Sequence, residues 1–486
     1  MIRKFEKIPV TVASHPYGTA EKKCDFARRG FVEEEFFMHG TANVYGTVDG
    51  KTSVVYSAAP YVNRFVVRRP VDQSRFSGNI IVEILNSTSW IDIDRMWVIS
   101  KEKFMRDGDT YIGITSKPNT IPVMKKLDPK RYEALSWANP RKATKPAEEL
   151  GNLAGASSPE TEDGLFWDML IDLAEVLRDR GRTPIEDSEK ARIFLTGWSQ
   201  SGGYMLRFVN TFAYKDPREV PLFDGYFAAG AACIAYPGLN QEESRPWSSP
   251  DNFSNAVSDA PVPWRLGKHY QPYIDVHTES ENSGLGTKEA RCPDSDDSDF
   301  PYRAYDIPGA SHDTWYNMVE YFKNDPDLFT TGIFPAYGGR EPLANDYPYE
   351  FIFNAAYQML FDWVNKGIVP PRISLIELDG AANDNKRDEH GNALGGWRTA
   401  FVDYPACTYY KRSTPLTPFF TFGCGVFGYK VLFGAEKMKR LYGSLDTYRT
   451  LVEEMAGRQV TAKQLLPGDH EAYIKRALEY ARQAGL

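Results

Sequence analysis

The chain has 486 residues, of which 42% are hydrophobic and 25% are charged, and its formal net charge is -8. This balance is typical of a globular protein, and no apolar run is long enough to form a membrane span. The negative charge, without a dense Lys/Arg cluster, argues against a nucleic-acid partner. We therefore expect a cytoplasmic protein without a membrane or nucleic-acid partner, and secretion is the alternative if a signal peptide has been removed.

Strands and helices alternate along much of the chain. Five apolar runs predict buried strands: NIIVEIL (79–85), TYIGITS (110–116), ARIFLTG (191–197), PYIDVHT (272–278) and YRAYDIP (302–308). Amphipathic patterns predict helices over 90–105, 164–181 and 349–367, and another at the C-terminal end. This order predicts an α/β fold with a mostly parallel sheet and helices on both faces.

Three stretches interrupt the alternation: 117–162, 236–262 and 282–300. Long irregular insertions in an α/β core usually form lids or binding loops. We therefore expect one domain over residues 1–486, with these stretches as cap insertions and residues 370–486 as a C-terminal extension packed on the core. The acidic run DSDDSDF inside the third stretch is expected to be a solvated surface loop and not a metal site.

The stretch FLTGWSQSGGYMLRFVNTF (194–212) places a Gly- and Ser-rich bend between a buried strand and a helix. Such a bend matches a nucleophile elbow, in which small neighbours are needed because strand and helix approach closely. The bend predicts Ser199 as the nucleophile, and the backbone N–H of Gln200 as a donor to an oxyanion. Ser201 is a secondary candidate for the nucleophile.

A serine nucleophile needs a base, and His312 is the best-placed histidine. It follows the strand at 302–308 in a loop of small residues, IPGASH, and it comes after Ser199 in the chain. An α/β hydrolase has its histidine in this order and position. We therefore predict His312 as the general base.

The acid that orients the base is expected after the strand at 272–278, where two glutamates follow closely. Glu279 and Glu281 both lie just beyond Val276, and spacing alone does not choose between them. Asp275 ranks third, because it alternates with the apolar residues of the strand.

A second oxyanion donor is expected in the Asn86–Ser89 loop, which follows the first apolar strand; Ser87 and Thr88 are the candidates. Aromatic residues near the proposed site, Trp90 and Trp198 with Trp315 beyond them, indicate a pocket for an aromatic or bulky ester, although a core role explains them equally well.

The segment GNALGGWR (391–398) combines three glycines with Trp397 and Arg398. Glycines at this density indicate tight turns or close backbone approach. We expect Trp397 and Arg398 to help shape the substrate pocket. A surface turn that ties the tail to the core is an equally weighted alternative.

The chain resembles the family of long, single-chain proteins known as alpha/beta hydrolase domain-containing. The resemblance runs nearly end to end and rests on these segments: EEEFFMHGTANVYG (33–46), RFVVRRPVDQSRFSGNIIVEILN (64–86), the GWSQSGG elbow, HTESE (277–281), IPGASH (307–312) and DEHGNALGGWRTAFVDYP (388–405). It implies an α/β hydrolase fold with helical insertions, Ser199 as nucleophile and His312 as base. The family commonly has T-E-x-D where this chain has Thr278-Glu279-Ser280-Glu281, and that departure favours Glu279 as the acid.

Together these features predict a serine hydrolase that cleaves a small-molecule carboxylic ester through a Ser-His-Glu triad and an acyl-enzyme, without a metal or cofactor. Two classes of alternative remain open at this stage. One is a lactonase, amidase or acyltransferase that uses the same triad, and the other is a non-catalytic binding protein on a hydrolase scaffold.

Overall fold

A computed structural model describes residues 1–21, 23–145, 151–152, 155–156, 158–186, 188–215, 220–231, 237–243, 265–283, 290–331, 336–380 and 384–486.

Within these residues, ten strands form one large sheet. The strands are β1 (Ile2–Ile8), β2 (Phe31–Val48), β3 (Lys51–Pro70), β4 (Asn79–Ile84), β5 (Thr110–Ile114), β6 (Arg192–Trp198), β7 (Gly225–Ala229), β8 (Tyr273–Thr278), β9 (Ser295–Asp297) and β10 (Phe300–Ile307). Their order across the sheet is β1-β2-β3-β5-β4-β6-β7-β8-β10-β9. The run from β5 to β10 is parallel, and the strands at both edges are antiparallel.

Helices flank the sheet and cover its apolar strands. In the described part of the chain they are α1 (Phe26–Arg29), α2 (Arg95–Asp107), α3 (Ile121–Leu127), α4 (Phe166–Leu177), α5 (Gln200–Thr211), α6 (Pro326–Thr331), α7 (Glu350–Lys366), α8 (Ala400–Asp403), α9 (Thr421–Val426), α10 (Ala435–Tyr442), α11 (Leu445–Thr461) and α12 (His470–Gln483). The mostly parallel sheet and its flanking helices confirm the predicted fold class. No helix among the described residues is long and apolar enough to cross a membrane.

The predicted strands and helices are present, with small shifts at their ends. All five predicted strands match β4, β5, β6, β8 and β10 to within two residues. The largest shift is at α2, which begins at Arg95 and not at residue 90, because Ile93 pairs with Asn86 and keeps the preceding residues in a loop.

A long antiparallel hairpin, β2 and β3, extends the sheet on its N-terminal side, and we did not predict it from the sequence. Its buried face carries charged residues that pair across the two strands. Arg68 Nε donates to Glu33 at 2.7 Å, and Arg64 pairs with Glu35; all four side chains are almost fully buried. Charge pairing thus replaces apolar alternation on this part of the sheet.

The three predicted insertions have different structures. Part of 117–162 packs against the hairpin, since Ser136 bridges to Val62 of β3 and Trp137 is buried beside it. The acidic run in 282–300 forms the edge strand β9, so it is not only a loop as we expected. Most of 236–262 lies outside the described residues.

The C-terminal extension packs against α7. Phe351 of that helix contacts Phe401 and Tyr473, and the Asn354 side-chain amide donates to Asp469 at 2.8 Å. The extension also contains two small antiparallel ribbons: Leu378–Asp379 with Asp384–Asn385, and Cys407–Tyr410 with Tyr429–Leu432. A third ribbon, Gly151–Asn152 with Gly155–Ala156, lies earlier in the chain.

Candidate active site

Ser199 occupies a sharp bend between β6 and α5. Its backbone has φ 56° and ψ -119°, a conformation that side-chain-bearing residues rarely adopt. The bend is held by the Ser199 N–H, which donates to the carbonyl of Ala229 at 2.8 Å. Gly197 must be small, because a Cβ there would lie 2.6 Å from the Ser201 carbonyl oxygen. This is the geometry of a nucleophile elbow.

Ser201 does not share this position. Its side chain is fully buried, and its hydroxyl donates to the Leu85 carbonyl at 3.2 Å. A substrate cannot reach a hydroxyl that is enclosed and bonded in this way, so the geometry favours Ser199 over Ser201.

His312 lies in the loop after β10, and Glu281 holds its ring. The distance from His312 Nδ1 to Glu281 Oε1 is 2.6 Å, and both side chains are buried. The other oxygen, Oε2, accepts hydrogen bonds from the Thr278 N–H at 2.5 Å and its hydroxyl at 2.7 Å. Burial alone would raise the pKa of the Glu281 carboxyl, but His312 and these hydrogen bonds outweigh it and lower the pKa. An ionised Glu281 can therefore orient the imidazole and stabilise its cation.

Glu279, which we preferred as the acid from the sequence, does not contact the base. Its carboxylate accepts the Gly309 N–H at 2.6 Å and the Asn385 side-chain amide at 3.2 Å, and it pairs with Arg387 at 3.0 Å. These partners already occupy it. Of the two candidate glutamates, the structure therefore brings Glu281 to His312 and leaves Glu279 with other partners.

Asp275, the third-ranked acid, also points elsewhere. Its carboxylate accepts a hydrogen bond from the Tyr302 hydroxyl at 3.1 Å and lies 3.2 Å from His277.

The remaining ring nitrogen of His312 faces a tryptophan. Trp198 Nε1–H donates to His312 Nε2 at 3.1 Å, and no described residue forms a hydrogen bond with the Ser199 hydroxyl. We expected Trp198 to line the substrate pocket, but it is only 1% exposed and packs against Tyr349 and Phe353. Its observed hydrogen bond is with His312.

The loop after β4 is tied directly to the elbow. The side-chain amide of Asn86 donates to the Trp198 carbonyl at 3.0 Å, and its oxygen accepts the Thr88 N–H at 2.9 Å. The Thr88 N–H is therefore already engaged. Ser87 and Gln200 are the better candidates for oxyanion donors, because Gln200 opens α5 and the N–H groups of the first helical turn have no partner within the helix. We expected Asn86 in this loop but did not predict that its side chain would hold the elbow.

Buried charges anchor the far end of the same loop. Asp92 accepts from Arg64 at 2.9 Å, and Asp94 accepts from Arg68, so that the loop is fastened to β3. Glu83 of β4 holds the start of α2, because its carboxylate accepts the Met96 N–H at 2.9 Å. Burial raises the pKa of Glu83 to about 8.

Two of the predicted aromatic residues lie at the surface. Trp90 is 50% exposed at the tip of the loop after β4, where its φ is 66°, and Trp315 is 40% exposed three residues beyond the base.

The GNALGGWR segment lies elsewhere. Trp397 is buried, and its ring packs against Tyr305 of β10; Arg398 bonds to Asp403 and to the carbonyl of Ala393. Neither forms a hydrogen bond, ion pair or ring contact with Ser199, His312 or Glu281 among the described residues. The described contacts of Trp397 and Arg398 are with β10 and with the C-terminal extension itself, as in the structural alternative.

The described residues contain no group of three or more His, Cys, Asp or Glu side chains that could hold a metal ion.

Solved structures of several hydrolases resemble the chain at low identity. An S-formylglutathione hydrolase from Agrobacterium tumefaciens aligns at 10% identity over 62% of this chain and 95% of that one, with a TM-score of 0.30. An esterase B from Lactobacillus rhamnosis aligns at 9% over 72% and 94%, with a TM-score of 0.33. An esterase from the fungus Rhizomucor miehei aligns at 9% over 70% and 85%, with a TM-score of 0.32. Likenesses this weak carry no argument about activity or substrate.

No curated protein matches the chain. The sequence model of the family described as "Alpha/beta hydrolase domain" matches residues 5–475, which is nearly the whole chain. The protein therefore belongs to this alpha/beta hydrolase family.

Proposed function

We propose that the protein is a serine hydrolase that cleaves a carboxylic ester through Ser199, His312 and Glu281. One observation carries the proposal: a serine in the strained conformation of an elbow directly follows Trp198, and the Trp198 indole N–H donates to a histidine whose other nitrogen is held by a buried glutamate at 2.6 Å. Serine hydrolases on this fold use that order of serine, acid and histidine. Membership of the alpha/beta hydrolase family supports the same proposal.

In the proposed mechanism the Ser199 hydroxyl attacks the ester carbonyl and its proton passes to His312 Nε2. Glu281 stabilises the imidazolium through Nδ1. The oxyanion is held by the backbone N–H groups of Gln200 and Ser87. The imidazolium then protonates the leaving alcohol, and an acyl-enzyme remains. His312 next activates a water molecule, which releases the acid and restores the serine.

Covalent labelling tests the nucleophile. A fluorophosphonate should label the wild-type protein and the Ser201→Ala variant, and it should not label Ser199→Ala. The Ser201→Ala variant is the matched control, because Ser201 lies two residues away in the same bend and its hydroxyl is enclosed. Labelling that survives in Ser199→Ala and disappears in Ser201→Ala would reverse the assignment. An unlabelled wild-type protein would leave a non-catalytic binding role.

Product analysis then tests the reaction class. A panel of aryl and alkyl esters of graded acyl length should be hydrolysed by the wild type and not by Ser199→Ala. Adding a competing alcohol separates hydrolysis from acyl transfer. Turnover of lactones or amides in preference to every ester would contradict the ester assignment while leaving the nucleophile unchanged.

A further inference from the structure

In this structure His312 Nε2, the atom that would accept the Ser199 proton, accepts a hydrogen bond from a residue other than Ser199. Because Glu281 accepts from Nδ1, the lone pair of neutral His312 is on Nε2. Trp198 directs its indole N–H at that lone pair from 3.1 Å. The Ser199 proton must reach this same atom in the proposed mechanism. Trp198 and Ser199 therefore compete for one acceptor.

The position of Trp198 is fixed from several sides. Its ring packs 5.1 Å from the His312 ring, and it also contacts Phe353 of α7 and the guanidinium of Arg95, which sits 5.2 Å from its centre. Gly230 closes the space beside both rings, since a Cβ there would lie 3.0 Å from His312 Cε1 and 3.3 Å from Trp198 Cε2. The indole cannot turn away without disturbing this packing.

We propose that Trp198 is a positioning residue that holds His312 in a resting arrangement, in which Nε2 accepts the indole N–H until substrate binding transfers Nε2 to Ser199. This inference rests on the proposed function, because it assigns a role at the same site. The indole N–H lowers the reactivity of the resting serine. The same N–H opposes protonation of His312, because a protonated Nε2 has no lone pair to accept a hydrogen bond.

The charged and titratable groups around this pair are few. Glu281 faces His312 from the turn after β8, with His277 of β8 near it; Asp313 follows His312 in the chain; Arg95 of α2 pairs with Asp313 and lies over Trp198. The Tyr349 hydroxyl is bonded to the Asn317 side chain. Trp198→Phe leaves all these groups in place, removes the N–H donor and shortens the buried ring, a change of size that Trp167→Phe reproduces away from His312.

The test is the rate of fluorophosphonate labelling as a function of pH. In this reaction the Ser199 oxygen bonds to phosphorus, fluoride leaves and the serine proton passes to Nε2. In Trp198→Phe, the rate on the alkaline plateau should rise by about threefold to tenfold, the range expected from one lost hydrogen bond. The acid limb of the profile should move to higher pH by about half a unit to one unit, because protonation no longer breaks that contact.

Trp167→Phe is the matched control. Trp167 is equally buried and its indole N–H also has an acceptor, the Leu239 carbonyl at 3.0 Å, but it does not contact His312. Its pH profile should equal that of the wild type. A Trp198→Phe profile with a lower plateau and an unmoved acid limb would show a structural role only and would overturn the inference. A wild-type protein that is not labelled at any pH would instead contradict the proposed function.

A spectroscopic measurement covers the case in which Trp198→Phe does not fold. The chain has ten tryptophans. In ¹⁵N-tryptophan-labelled protein, His312→Ala should move one indole N–H signal upfield, because that proton loses its acceptor. An unchanged set of indole signals would exclude the resting contact.

Discussion

At the scale of single residues, the acid of the proposed triad is set by a turn of three residues. Glu281 opens a short 3₁₀ turn, Glu281–Ser283, directly after β8, and the turn brings its carboxylate under His312. Glu279 lies before that turn and faces Gly309 and Arg387 instead. The two carboxylates therefore differ in their contacts. Glu281 bonds to His312, and Glu279 bonds to Gly309 and Arg387 in the neighbouring loops.

Replacement of these two glutamates by glutamine tests whether their roles differ. Glu281→Gln should lower kcat by roughly 10³- to 10⁴-fold, because the amide no longer stabilises the imidazolium or fixes the tautomer. Glu279→Gln keeps the size of the side chain and should cost far less in kcat, with its main effect on the melting temperature. Steady-state kinetics on one ester and thermal melts of both variants measure the contrast, and a larger kcat loss in Glu279→Gln would return the acid to residue 279.

At the scale of elements, the loop after β4 depends on the buried arginines of β3. Arg64 and Arg68 each hold one carboxylate of β2 and one of this loop, so that the far end of the loop that contains Ser87 is held by a hairpin distant in sequence from the elbow. The hairpin is therefore part of the site's support, although none of its residues reaches the reacting atoms.

Loss of one buried carboxylate should expose this dependence. Asp94→Asn leaves Arg68 with one charged partner fewer in a buried site, which we expect to cost about 3–5 kcal/mol of unfolding free energy and to lower kcat as the oxyanion donor shifts. Glu34→Gln is the control, because Glu34 pairs with Arg69 and Lys7 on the less buried face of the same hairpin. Glu34→Gln should lower the unfolding free energy by about 1 kcal/mol or less and leave kcat unchanged.

Urea unfolding and ester kinetics on both variants measure these effects. Equal losses of stability in Asp94→Asn and Glu34→Gln would show that the buried ion pairs do not support the loop.

The elements that could be predicted from sequence are those whose signal is local. The apolar strand, the small residues of the bend and the helix behind it all lie within residues 194–212, and IPGASH carries His312 in the same way. The hairpin could not be predicted, because Glu33 and Arg68 sit on its buried face and hide the apolar alternation that marks a strand. Which of Glu279 and Glu281 contacts His312 could not be predicted either, since the turn after β8 determines it and the two-residue spacing does not.

At the scale of the whole molecule, the C-terminal extension holds the loops that carry Glu281 and His312. The Ser280 hydroxyl accepts the His312 N–H at 3.0 Å and donates to the Lys411 carbonyl at 3.2 Å. The Asp313 N–H donates to the Val426 carbonyl at 2.9 Å. Trp397 fills the core against β10. The glycines, Trp397 and Arg398 of GNALGGWR led us to expect tight turns and a role in shaping the substrate pocket, but they could not reveal which part of the core the segment packs against.

Replacement of one brace should affect both stability and catalysis. Arg387→Gln removes the ionic partner of buried Glu279, and we expect a loss of about 1–3 kcal/mol in unfolding free energy and a roughly tenfold lower kcat as the acid turn loosens. Lys386→Gln is the neighbouring control, because Lys386 pairs with Glu377 at the exposed surface and that pair contributes little. Denaturant unfolding and ester kinetics test both variants; an Arg387→Gln protein identical to the control would show that the extension does not brace the acid.

The bracing by the C-terminal extension also fixes when the site can form. A ribosome releases the chain from its N-terminus, so Ser199, Glu281 and His312 emerge before Lys411 and Val426 exist. Until those residues are added, the Ser280 hydroxyl and the Asp313 N–H lack their backbone acceptors. Ser199, Glu281 and His312 are therefore all synthesised well before the residues that hold the loops of Glu281 and His312, and the proposed site acquires its final arrangement only after Val426 has been added.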